Sequence, residues 1–102
     1  MQERNKFMDD MQIEEVSRAM KAMSHPLRLK ILCVLGEREI SVQDIFERVG
    51  STTQSNISQH LALMREKGVL RSRRDANRIY YRLSDVRMLE VLTHIRDSFA
   101  GF

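Results

Sequence analysis

The sequence predicts a mainly α-helical domain carrying one small β-hairpin. Three observations predict it. Apolar residues recur at helical spacing along most of the 102 residues. A short helix is followed closely by a second one, each with its own start signal. After Gly68 the apolar period changes and Tyr, Ile and Leu gather around a short Asp/Asn turn.

The length suits one domain. Apolar residues at 42% and charged residues at 30% exclude a disordered chain. No apolar run approaches the roughly 18 residues of a membrane span, and M1-QERNKFMDDMQIEE has no apolar signal-peptide core. A single cysteine cannot build an internal disulfide framework. These features lead us to expect a cytoplasmic protein without a membrane partner.

The first helix is expected over about Met11 to Met23, where Ile13, Val16, Met20 and Met23 form a stripe spaced 3, 4 and 3. Pro26 suits the first position of a second helix, where its missing N–H is not needed. Leu27, Ile31, Leu32, Val34 and Leu35 make that helix apolar on more than one side, hence central, and Gly36 ends it. Ser41 caps a third, short helix with Asp44 in its first turn. Gly50 permits a left-handed turn, and Ser51-T-T-Gln54 has the form of a capping box that opens the fourth helix. Short helix, tight turn and second helix make a helix-turn-helix. Beyond Gly68, R71-SRR and R78-IYYRL read as a two-stranded hairpin with Asp75-Ala76-Asn77 at its tip. Ser84 is expected to cap the last helix, whose apolar side is Met88, Leu89, Val91, Leu92 and Ile95. The fold class is therefore a winged helix-turn-helix.

The fourth helix, T53-QSNISQHLALMREKGVL, suggests what the domain does. Ile57, Leu61 and Met64 fall within about 60° of one another on an ideal helix and must face the core. The outward side carries Gln54, Ser55, Asn56, Ser58, Gln59 and His60 without an acid, although Lys and Glu are the better helix formers. Gln and Asn can pair with adenine N6 and N7, and Ser with many base edges. An acid there would repel phosphates. This is the surface expected of a helix in a DNA major groove, with Thr53 at its first turn. Charge agrees. Residues 1–16 hold five acids against two bases, whereas residues 65–82 hold seven bases against two acids. Concentrated positive charge suits a polyanion. Arg71, Arg73, Arg74 and Arg78, with Asn77 at the tip, form a basic wing for the flanking DNA backbone. Double-stranded DNA is the expected partner. The organisation is an arm over 1–10, a DNA-binding domain over 11–99 and a tail over 100–102.

The segments A22-MSHPLRLKIL, S41-VQDI, Q54-SNISQHLALMREKGVL and R73-RDANRIYYRL together resemble the ArsR-type winged-helix transcriptional repressors. The resemblance covers about residues 11–99. It implies a homodimer built from the first and last helices, with Leu89, Leu92 and Ile95 as suitable surface, the alternative being that these residues only close the monomer core. It also implies a two-fold symmetric operator with half-sites about one DNA turn apart. Many members sense metals, but the matching positions are poor in ligands. I40-SVQDI lacks the paired thiols, and D85-VR carries Arg87 where a histidine would sit. His25, His60 and His94 are not spaced as a metal pair, so neither a metal nor a cofactor is expected. His60 reads as a backbone-phosphate or core-edge group. Cys33, in I31-LCVL, stands where a branch responsive to reactive sulfur or oxidants carries a sensor thiol. The second cysteine of that branch is absent, Ser98 or a neighbour taking its place. Reactive sulfur or an oxidant is thus the inducer that the resemblance suggests, acting on one thiol. Equally, Cys33 could be a small buried hydrophobe between Leu32 and Val34, and inert.

Other classes are weaker. No Gly-rich phosphate loop, zinc-protease helix or paired nucleophile and base points to an enzyme. A protein-docking winged helix would lack DNA affinity even at low salt. A nucleoid-type binder would favour Lys and Arg over amides on its contact helix. A metal-sensing or ligand-independent repressor of the same family is the nearest alternative.

Overall fold

A computed structural model describes residues 7–100; the expected arm is covered only from Phe7 onward, and Gly101 and Phe102 of the expected tail lie outside the described residues. Five helices and three short strands follow the order α1 (Asp10–Met23), α2 (Pro26–Leu35), β1 (Ile40–Ser41), α3 (Val42–Val49), α4 (Gln54–Glu66), β2 (Leu70–Asp75), β3 (Arg78–Leu83) and α5 (Arg87–Phe99). α1 starts one residue earlier than expected, because Asp9 and Gln12 form a reciprocal capping box. Pro26 opens α2, and His25 caps it by accepting the Leu27 N–H at its Nδ1, 3.1 Å away.

Three local expectations are corrected. Ser51 does not cap α4: its φ of 59° is left-handed, whereas a cap residue needs an extended backbone. Thr53 has that backbone, and its hydroxyl accepts the Asn56 N–H at 3.1 Å. Ser84 does not cap α5 either. Asp85 accepts the Arg87 N–H at 2.9 Å and pairs with the Arg87 guanidinium, which holds the carboxyl down at about 2. The hairpin tip is two residues, Ala76 and Asn77, because Asp75 already pairs with Arg78.

The sheet has three strands, not two. Ile40 and Ser41 pair antiparallel with Tyr81 and Tyr80, giving the order β1-β3-β2. This short strand ties the start of α3 to the wing. Ile31, Leu32 and Leu35 of α2 join Ile45, Val49, Ile57, Leu61, Met64, Leu70, Tyr81 and Leu83 in one core. α2 is central, as its composition requires. Cys33 is not part of that core: it is exposed, although Leu32 beside it is fully buried.

The terminal helices are poorly covered. α5 has no buried residue, and α1 buries only Ala22 and Met23. Leu89 and Leu92 turn toward the core as partly buried residues, while Val91 and Ile95 stay outside. The outward seam of α5 is therefore rotated from the expected Leu89, Leu92 and Ile95.

Candidate DNA interface

α4 is pinned by Ile57, Leu61 and Met64, all with no exposed surface. That fixes its rotation. Ser55 and Gln59 then point straight out, and both are exposed. Asn56 is half-buried and its amide donates to the Thr52 hydroxyl at 2.9 Å, so it braces the turn. The Thr53 hydroxyl is engaged as the helix cap. Gln54 and Ser58 face a cleft of about 540 Å³ shared with Ser41, Val42, Gln43, Asn77, Arg78 and Ile79. The cleft joins the first turn of α4, the start of α3 and the wing tip. Gln43 is a polar side chain of this surface that the sequence did not single out. Its place at the first turn of the first helix-turn-helix helix was the available signal.

On the opposite flank, the His60 ring meets the His25 ring, with centroids 4.6 Å apart. Burial, then the charges of His25 and Arg28, lower the pKa of His60 from its ordinary value. Two histidines 35 positions apart in sequence could not be paired from spacing alone. Among the described residues no group of three His, Cys, Asp or Glu comes together to hold a metal ion.

The wing arginines divide by strand alternation. Leu70, Tyr81 and Leu83 are buried, so they mark the inward face of the hairpin. From the register, Ser72, Arg74 and Ile79 continue that face toward the tip. Arg71, Arg73, Arg78, Tyr80 and Arg82 occupy the other face. Arg65 of α4 donates to the Ser72 hydroxyl at 3.4 Å, coupling the helix to the wing. Arg73 is engaged within the fold. Its Nε and Nη2 both lie 2.7 Å from a Glu39 carboxylate oxygen, and its guanidinium stacks 4.7 Å over Tyr80. Asp75 is a further 3.8 Å partner. Arg71, Arg74, Arg78 and Arg82 form no ion pair among the described residues.

A polar helix fixed outward beside a basic hairpin is a DNA-reading arrangement, and the sequence comparisons agree. A profile described as "Bacterial regulatory protein, arsR family" matches residues 25–72. A biofilm growth-associated repressor of Xylella fastidiosa is 33% identical over 87 residues, covering 85% of this chain and 75% of that protein. The chain belongs to the ArsR family. The ArsR-type fold extends past the matched segment into the wing and α5. The transcriptional activator HlyU of Vibrio cholerae is 40% identical over 76 residues, covering 72% of this chain and 69% of HlyU. Among solved structures, the homodimeric winged helix-turn-helix DNA-binding domain Mb0332 of Mycobacterium bovis superposes with a TM-score of 0.73 at 26% identity, covering 92% of this chain and 91% of that one. This ArsR-family chain is accordingly a DNA-binding transcriptional regulator, a non-enzymatic role. None of its described helices is long and apolar enough to cross a membrane.

Proposed function

We propose that this regulator is a homodimeric repressor that binds a two-fold symmetric operator in the cytoplasm, with residues 11–99 as the working unit. The observation that carries this is the fixed rotation of α4, which holds Ser55 and Gln59 outward while Gln54 and Ser58 border the wing cleft. Gln59 and Ser55 read base edges. Gln54 and Ser58 meet the groove on the wing side, and His60 meets it on the other. Thr53 and Asn56 position the helix end. Arg71, Arg74 and Arg78, with Asn77, hold flanking phosphates, and Arg73 braces the wing through Glu39. Dimerisation uses α1 and α5, whose outward seams include Met20 at 59% exposure. Gln59→Ala tests the base-reading role by anisotropy on an operator duplex selected from a random pool and on a scrambled duplex. It should weaken operator binding by roughly 1–3 kcal/mol more than scrambled binding; equal losses on both duplexes refute the role.

The exposure of Cys33 favours a second element of this reading, release by a reactive sulfur species or an oxidant. An accessible thiol can be taken to a persulfide, sulfenic acid or mixed disulfide, and the chain holds no second cysteine to close a disulfide within one protomer. Polysulfide should then release DNA from the native protein and not from Cys33→Ser. Release that persists in the serine variant refutes this element.

A further inference from the structure

The His25–His60 contact joins two elements that the helix-turn-helix reading treats separately: the N-terminus of α2 and the middle of the DNA-reading helix. The charges around it have one sign. His60 feels His25 and Arg28. The Arg28 Nε is buried without a hydrogen-bond partner. α2 has no acid between Pro26 and Leu35, and α4 has none before Glu66. α1 packs on both helices, and its last two turns hold Arg18 and Lys21 but no acid. α3 and β2 pack along the other flank of α4, where the cleft and the Arg65–Ser72 contact lie. Among the described residues no carboxylate pairs with Arg28, His25 or His60, so this corner of the fold lacks a negative charge.

Geometry indicates where that charge comes from. On α4, His60 lies about 120° around from the Ser55–Gln59 direction, while Gln54 and Ser58 lie about 80–120° the other way. A helix about 10–12 Å across fills a major groove about 12 Å wide. Its flanks therefore face the two phosphate walls. The wing cleft serves one wall. We propose that His25, Arg28 and His60 form a seat for a backbone phosphate on the other wall, and that filling this seat takes up a proton. The proposal deepens the DNA-binding reading and rests on it.

The sign of the linkage follows. In free protein, burial and neighbouring cations hold the His60 pKa below its ordinary value. A phosphate against the ring raises it, because opposite charge favours the protonated form. The complex then binds more protons than the free components, so DNA affinity rises as pH falls through the pKa in the complex. The gain levels off once the free protein is protonated too. The effect ignores sequence, because phosphate contacts do not read bases.

The test is anisotropy on the selected operator and on scrambled duplex from pH 8.5 to 5.5 at fixed ionic strength. The native protein should gain about three- to tenfold per seat on both duplexes, compounded over the two seats of a dimer, tenfold per seat corresponding to one pKa unit. His25→Asn removes the imidazole but keeps a side chain suited to capping α2. It should flatten the profile, costing more affinity at pH 5.5 than at pH 8.5, where imidazoles are uncharged. His60→Gln should flatten it as well, and the melting temperature at pH 8.5 checks folding of both. A flat native profile, or a pH slope that His25→Asn leaves intact, overturns the seat alone. Failure to bind operator at any pH overturns the DNA-binding reading and the seat together.

Discussion

Replacing Val91 and Ile95 together by alanine should take the proposed dimer apart while leaving the monomer folded. The two residues are one helical turn apart on α5 and share its outward face. Val91 is 50% exposed and Ile95 45% exposed in the single chain. Covering both in a dimer removes from water about the equivalent of one whole aliphatic side chain per protomer, worth roughly 1.5–3 kcal/mol. A two-fold interface counts each residue twice, giving roughly 3–6 kcal/mol, or about 10²- to 10⁴-fold in the dimer Kd. Truncation to alanine recovers most of that range. The monomer should tolerate the change, because α5 buries no residue fully and alanine is the better helix former. Sedimentation equilibrium from nanomolar to micromolar concentration measures the Kd, and thermal melting of the monomer provides the control. A dimer Kd altered by less than about tenfold would refute the α5 seam as an interface. Operator affinity should fall in parallel, since two half-sites are held by two joined domains.

Arg74 and Arg73 should separate although they are neighbours. Arg74→Ala should weaken binding to operator and scrambled DNA alike and flatten the log–log salt slope by about 0.9, the loss of one phosphate contact; an unchanged slope removes Arg74 from the interface. Arg73→Ala should leave that slope nearly intact and instead loosen the wing, seen as faster amide exchange in β2 and β3, because its guanidinium is already held by Glu39 and Tyr80. A slope reduced as much as for Arg74→Ala would make Arg73 a DNA contact.

The split between these two arginines shows what a linear reading can reach. In sequence, Arg71, Arg73, Arg74 and Arg78 are one basic cluster. Only the register of β2 against β3 assigns Arg74 to one face and the others to the opposite one. The partner that occupies Arg73 lies 34 residues earlier, in a turn that gave no sign of it. Likewise, I31-LCVL leaves Cys33 open between a sensor thiol and a buried hydrophobe, because apolar neighbours say nothing about which way the middle residue turns.

The sequence by itself determined the helices, the buried face of α4 and the family. Caps and apolar stripes are relations between residues at most four apart, and they hold before any helix docks. Ile57, Leu61 and Met64 had to share a buried face, and that left Ser55 and Gln59 outside whatever the rest of the fold did. Tertiary structure alone decided the pairing of β1 with β3, the approach of His25 to His60, the exposure of Cys33 and the rotation of Leu89 and Leu92 toward the core. Each depends on how two distant elements pack, which side-chain volume and charge settle only once the helices are in contact.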